Sequence, residues 1–306
     1  MKIYYGFDDK TLKFKKRAIT IGVFDGVHRG HRKILGRMLY DARRHGISPM
    51  VVTFDPHPAK ILAPKKFHPT ILMSLPHRLN FFKSMGIEEV LVIPFTRPFS
   101  KMSREDFFEK LLVGKLGMES LTVGHDFRFG QKALGNSQYL EKKTKESGHR
   151  LYLIPEYKLS GEIISSSKIR LSIEKGDFKR AGQMLGRPVS VVGTVVRGRG
   201  RGKTIGFPTA NLDPHHEALP PAAVYAAYGF LGKKKLRGVI HIGERPTFAD
   251  RQKTLEVHFM EFNGNIYGRE IELIFVKKLR DIRCFRNPDL LQKAILRDIN
   301  QARKLL

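Results

Sequence analysis

The sequence predicts two domains: an α/β domain built on a doubly wound parallel sheet, then an antiparallel β-barrel closed by a terminal helix. Three observations carry this. Strand-like and helix-like stretches alternate through the first half, the pattern of a parallel sheet covered on both faces. Beyond Gly186-Arg187-Pro188 most segments read as strands, and several of the short links between them carry Gly, Pro or Asn. The 306 residues, 41% of them hydrophobic, are enough for two ordinary cores.

Residues 18–24 read as a buried strand, after which Ile34, Leu35, Met38, Leu39 and Ala42 recur at helical spacing up to Arg44. Residues 50–54 and 90–95 are the next strands, 104–116 a helix, and 120–123 and 151–154 the fourth and fifth strands. Ligands of such a sheet sit beyond the carboxyl ends of its strands, at the switch point. In the second half, strands are expected over 189–196, 224–230, 236–242, 255–262 and 270–279. A helix begun by Asn287-Pro288 follows, with Leu291, Ile295, Ile299 and Ala302 on one face. The expected domains are 1–185 and 186–306.

Fifty-six Lys and Arg against 29 Asp and Glu give a formal net charge of +27. That excess favours polyanionic partners: nucleic acid, an acidic membrane surface or phosphorylated small molecules. A solvated basic surface with no specific partner accounts for it equally well. No apolar run approaches bilayer length, and the first residues lack the layout of a secretion signal. The single cysteine, Cys284, excludes an internal disulfide and a thiolate metal cage. A soluble, cytoplasmic chain is expected, with no membrane partner.

The most informative stretch is Gly22-Val23-Phe24-Asp25-Gly26-Val27-His28-Arg29-Gly30-His31. It follows a strand and opens a helix, where unpaired N–H groups and the helix dipole attract phosphate. Gly26 and Gly30 let the backbone approach an anion, and His28 and His31, three apart, can donate to the same phosphates as charge builds. A metal reading of the two imidazoles lacks a third ligand. These residues resemble the H-x-G-H signature of the nucleotidyltransferase superfamily. Thr53-Phe54-Asp55-Pro56-His57-Pro58, Gly124-His125-Asp126-Phe127-Arg128-Phe129-Gly130 and Ile164-Ser165-Ser166-Ser167-Lys168-Ile169-Arg170 narrow the resemblance to its bacterial FAD synthetase branch.

The resemblance implies ATP and phosphate contacts from Gly22, Phe24, Asp25, Gly26, Gly30, Ser165, Ser166, Ser167, Lys168 and Arg170. It implies flavin contacts from Asp55, His57, Asp126, Phe127, Arg128 and Phe129. In that branch the last motif usually reads Ser-Ser-Thr-Arg-Ile-Arg. Here Ser167 keeps the hydroxyl, and Lys168 keeps the charge without the guanidinium fork. Read without the family, Phe127 and Phe129 are core residues, Asp55 caps a loop, and Ser165 or Ser166 caps a helix.

Residues 193–212 carry the second site. Gly202-Lys203-Thr204 invites a P-loop reading, but the glycine that motif needs five residues earlier is Arg197. The Arg-Gly alternation also resembles an RNA-binding segment. The whole stretch, ending Gly206-Phe207-Pro208-Thr209-Ala210-Asn211, resembles the riboflavin kinase domain. That resemblance assigns Thr209 and Asn211 to Mg2+ and ATP phosphates, neutral oxygens that suit a hard cation. The loop from Gly198 through Gly200 to Gly202 would cradle phosphates, with Arg199, Arg201, Lys203 and Thr204 beside it. Gly243-Glu244-Arg245-Pro246-Thr247-Phe248 and Leu255-Glu256-Val257-His258 extend the match. Alternation alone makes Glu256 a solvent-facing strand residue; the resemblance makes it the general base. Arg280 and Phe285 would lie on the flavin side.

The family's usual Gly and Asn are Ala223 and His241 here, and an alanine that needed positive φ would be strained. The resemblance covers nearly the whole chain, in the order of the bacterial bifunctional riboflavin kinase/FAD synthetase family. It implies an enzyme that uses ATP to convert riboflavin to FMN and FMN to FAD. Two alternatives stand beside it: only one activity retained, or a basic nucleic-acid-binding protein on the same scaffold. The oligomeric state is not legible.

Overall fold

A computed structural model of the chain describes residues 1–63, 70–198, 202, 205–215, 217–246 and 251–306. Its first sheet is wholly parallel and six-stranded: β1 (Lys2–Tyr5), β2 (Arg17–Ile21), β3 (Ser48–Asp55), β4 (Glu89–Pro94), β5 (Met118–Gly124) and β6 (Arg150–Ile154). The spatial order is β1-β4-β3-β2-β5-β6, so the winding reverses beside β2. Every residue of β2 is buried, as a strand covered on both faces requires. The edge strand β1 was not expected; only Tyr4 of its four residues is buried.

Helix α1 (Arg29–His45) buries Leu35, Met38, Asp41 and Ala42, the face its spacing predicts. It ends on Gly46 in the left-handed conformation, with Arg43, Arg44 and His45 beside its negative end. The short α2 (Pro58–Leu62) and α3 (Leu75–Ser84) follow β3. The helix expected over 104–116 is regular only for α4 (Arg104–Asp106). It then widens into a π-helix over Phe107–Lys115, in which Leu116 N–H donates to the Leu111 carbonyl five residues back at 2.9 Å. The wider turn buries Phe107, Phe108, Leu111 and Leu112 together.

Helix α5 (Ser137–Glu146) and the small hairpin β7 (Lys158–Leu159) and β8 (Glu162–Ile163) complete this half. Two buried polar clusters brace it. Arg17 donates from Nε to Glu89 at 2.8 Å and from its other nitrogens to the Leu116 and Lys13 carbonyls. Buried Asp41 accepts from the Ser120 and Tyr152 hydroxyls.

The second half contains α6 (Ser166–Glu174), α7 (Phe178–Leu185) and a closed antiparallel barrel. The barrel strands are β9 (Ser190–Val196), β10 (Ala210–Asp213), β11 (Ala223–Leu231), β12 (Lys234–Pro246), β13 (Arg251–Phe259) and β14 (Glu270–Asp281). Their order is β10-β13-β12-β11-β14-β9, closed by β9 on β10. The five expected strands are present, and β10 is the sixth. The C-terminal helix Pro288–Leu305 starts as its sequence says, with the Asn287 side chain accepting from Leu290 N–H at 2.9 Å. Its Ile299 and Ala302 pack against Val224, Ala226 and Val239. Ala223 lies inside β11 and has no positive φ, so the strain considered for it does not arise.

The chain forms two compact units, Met1–Pro69 with Arg78–Ser166, and Thr70–His77 with Ser167–Leu306. The sequence pattern changes near residue 185, whereas the compact units divide at 166. The difference is made by helices α6 and α7: the Phe178 ring of α7 packs, tilted, 5.6 Å from both Tyr225 and Phe275 of the barrel.

Residues 70–77 belong to the barrel unit through Glu217. This buried carboxylate accepts from Ser74 N–H at 2.7 Å and Val192 N–H at 3.1 Å, and pairs with His77 Nδ1 at 3.1 Å. Glu272 stands 3.7 Å from the other ring nitrogen. Burial opposes charge on His77, but Glu217 and then Glu272 outweigh it and raise the imidazole from 6.5 to about 9. A folded-state value above the unfolded one gives stability that is complete below about pH 6.5 and lost as pH rises through about 9. The barrel unit should therefore lose on the order of 3 kcal/mol between pH 6.5 and 9.5 in thermal melts. His77→Gln should melt lower at pH 6.5 and show a flatter profile; a flat profile in the parent protein would contradict the pairing.

Candidate active sites

Both sites grow from strand ends. After β2 the chain turns sharply, and Phe24 and Val27 take φ of +52° and +35°. For side chains of this bulk the left-handed region costs on the order of 1–3 kcal/mol per residue. The turn delivers His28 as the N-cap of α1, its Nδ1 accepting the His31 N–H at 3.3 Å. With that lone pair used, a neutral His28 ring carries its proton on Nε2. The His28 and His31 rings stack at 3.7 Å and 18°. A Cβ on Gly30 would stand 3.1 Å from the His28 ring. Burial holds the His31 imidazole well below its ordinary range, and His28 adds to the effect. His31 Nδ1 is buried without a hydrogen-bond partner among the described residues. No acidic residue stands in the first turn of α1, and the acid nearest in sequence is Asp25, buried three residues before the cap.

The other motifs of this half converge on the same edge. Ser166 Oγ donates to the Asp25 carbonyl at 2.8 Å, joining the serine motif to the β2–α1 turn. Ser165 precedes it; Ser167, Lys168 and Arg170 continue along α6. At the end of β3, Asp55 is exposed and His57 caps α2, accepting from Ala59 N–H at 3.1 Å. At the end of β5, Asp126 and Arg128 are exposed, Phe127 is half-buried and Phe129 buried. Phe127 and Phe129 stack at 5.5 Å and 15°. With Phe54, Phe95, Phe99 and Phe107 they wall a cavity of about 700 Å³ that also meets Gly22, Val23 and Arg128. Phe129 is thus both a core residue and a wall residue.

In the barrel, a cavity of about 680 Å³ is lined by Gly202, Thr209, His241, Glu256, Arg280, Phe285 and Asp298, among others. Register explains the meeting. Glu256 on β13 lies opposite Asn211 of β10 on one side and His241 of β12 on the other. It is half-buried between the buried Leu255 and Val257, not turned to open solvent. A Cβ on Gly198 would overlap the Asn211 amide, and one on Gly202 would overlap the Phe207 carbonyl and stand 3.1 Å from Thr209 Oγ1. Arg280 grips buried Asp298 with Nε and Nη2 at 2.8–3.1 Å, its guanidinium 5.6 Å from the Phe285 ring centre. Lost hydration holds His241 below its ordinary range although Glu256 faces it. Arg199, Gly200, Arg201, Lys203, Thr204, Thr247 and Phe248 lie outside the described residues.

Two family models divide the chain, FAD synthetase over residues 10–168 and riboflavin kinase over 185–306. A bifunctional riboflavin kinase/FMN adenylyltransferase of Escherichia coli K12 is 37% identical over 288 residues, covering 94% of this chain and 92% of that one. That of Pseudomonas fluorescens is 32% identical over 306 residues, covering 100% and 98%. The chain belongs to this bifunctional family. A crystal structure from Streptococcus pneumoniae, described as a macrolide-efflux protein, is 27% identical and superposes with a TM-score of 0.83 over 99% of each chain. In the present member, no helix among the described residues is long and apolar enough to cross a membrane.

Sequence reading missed three features in or beside the candidate sites of this family member. Arg78 has no motif around it. Asp298 had a signal, an acid between Ile295 and Ile299 on the apolar face of the last helix. Phe95, Phe99 and Phe107 come from three separate segments and share no spacing. The stacked imidazoles give a direct check: by NMR, His31 should titrate well below 6.5. His28→Ser, which keeps a cap and removes the neighbouring ring, should move that titration upward.

Proposed function

We infer that the chain phosphorylates riboflavin to FMN in the barrel and adenylylates FMN to FAD at the carboxyl edge of the parallel sheet. One observation carries the reading: each compact unit holds a cavity of about 700 Å³, walled by that half's own motif residues. The assignment gives adenylyl transfer to residues 1–185 and the kinase to 186–306. The substrates are riboflavin, FMN and ATP, which suit a cytoplasmic enzyme.

In the kinase, Glu256 accepts the proton of the riboflavin 5′-hydroxyl as its oxygen bonds to the γ-phosphorus; the bond to ADP breaks and ADP leaves. Arg280 and Phe285 line the flavin side. Gly198 and Gly202 border the phosphates. The close approach of Gly198 to Asn211 and of Gly202 to Thr209 forms a cradle that a side chain would fill, and both donors are neutral oxygens. Thr209 and Asn211 would hold Mg2+ there, and the cation would neutralise phosphate charge.

In adenylyl transfer, a phosphate oxygen of FMN bonds to the α-phosphorus of ATP as the bond to pyrophosphate breaks. The backbone of Gly22, Phe24, Asp25, Gly26 and Gly30 receives the triphosphate at the start of α1. His28 donates from Nε2. His31, neutral in the free protein, takes up a proton when the phosphates arrive and remove the balance that depresses it. Ser165, Ser166, Ser167, Lys168 and Arg170 add hydroxyls and charge. The isoalloxazine lies in the phenylalanine cavity against Phe127 and Phe129, with Arg128, Asp55, His57 and Asp126 at its border. The step is mostly positioning and electrostatics.

Purified protein with riboflavin, ATP and magnesium should form FMN and then FAD; formation of neither rejects the reading. Glu256→Gln should slow FMN formation about 10²- to 10⁴-fold while FAD still forms from supplied FMN. His28→Ala should do the reverse, and equal loss of both reactions in either variant would overturn the division of labour.

A further inference from the structure

We propose that Arg78 is a positioning residue of adenylyl transfer, a buried guanidinium that ties the β2–α1 turn to the end of β3. The proposal rests on reading this edge as the adenylyltransferase site. Arg78 is 2% exposed. Its Nη1 donates to the Val23 carbonyl at 2.7 Å and to Thr53 Oγ1 at 2.8 Å, and its Nη2 to the Phe54 carbonyl at 3.1 Å. Asp55 Oδ1 lies 3.9 Å from Nη2. A buried charge persists only where it is paired and hydrogen-bonded, and these partners lie in the segment that leaves β2 and in the last three residues of β3.

Those segments are the working surfaces. Val23 and Phe54 both line the phenylalanine cavity. Val23 also precedes Phe24, the bulky residue held at φ +52°. One helical turn beyond Arg78, Phe82 meets the Phe24 ring edge-on at 5.9 Å, and Phe24 in turn meets the His31 ring edge-on at 5.4 Å. Helix α3 therefore holds the strained turn twice, by its carbonyl through Arg78 and by its ring through Phe82. The far end of that chain of contacts is an imidazole of the phosphate site. Arg78 acts through the turn, by fixing where the His pair and the flavin wall stand relative to each other. A planar fork with five N–H donors reaches three acceptors on two segments at once, which an ammonium cannot do.

The test is Arg78→Lys in the full chain, which keeps the charge and loses the fork. The kcat for FAD formation should fall about ten- to a hundredfold, with KM for FMN and ATP changed less than about threefold and FMN formation by the same protein unaltered. Thr53→Val, close in volume and lacking one acceptor, should show a smaller loss in the same direction without a lower melting temperature. An unimpaired FAD step in Arg78→Lys would overturn the proposal. So would a matched loss of both reactions with a lowered melting temperature, since that is a purely structural effect. A parent protein that makes no FAD would remove the underlying reading; a parent that makes FAD beside an unimpaired Arg78→Lys removes only this proposal.

Discussion

The carbonyl of Val23 must end one strand and begin a turn whose next residue sits in a backbone region that phenylalanine avoids. What stabilises that turn is a set of bonds made to it from elsewhere in the same unit. Arg78 bonds its first carbonyl, Ser166 bonds the Asp25 carbonyl, and His28 caps the helix that follows. Strain of this kind persists only where the surroundings over-determine it. The result is a helix N-terminus with two stacked imidazoles and no acidic residue in its first turn. Such a place favours a phosphate strongly and offers an uncharged visitor little.

The barrel reaches a comparable end by a different constraint. An antiparallel register fixes which side chains stand opposite one another, and a slip of one residue would turn them to the other face. Asn211, Glu256 and His241 meet because β10, β13 and β12 are neighbours in register. The loop glycines are required by approach distance more than by dihedral preference, since a Cβ at 198 would enter the space of the Asn211 amide and one at 202 that of the Phe207 carbonyl. Asp298 holds Arg280 in a two-pronged grip, so this guanidinium of the cavity wall has a defined position.

Much of this was legible in the residues. Strands buried on both faces read as unbroken apolar runs, which is why β2, β3 and β4 stood out, and the apolar stripe of α1 marked its buried face. Edge strand β1 was hidden because a single buried Tyr4 makes no pattern. Strand β10 was hidden because its four residues are half motif and only Leu212 is buried. The chemistry-bearing motifs were visible as motifs, yet Glu256 taken alone pointed to solvent, and only its place in the register brings it to a cavity. Arg78 illustrates the limit. Its partners include two backbone carbonyls and a hydroxyl left over after the sheet has formed, and nothing local to Leu75-Pro76-His77-Arg78 encodes which acceptors those will be. The divide at residue 166 was unreadable for the same reason: α6 and α7 continue the alternating pattern, and only the rings they meet decide where they pack.

The described walls of each cavity come from one compact unit alone. The two linings can therefore be altered one at a time: a substitution among the six phenylalanines touches no lining residue of the barrel cavity, and one at Glu256 or Arg280 touches none of the phenylalanine cavity.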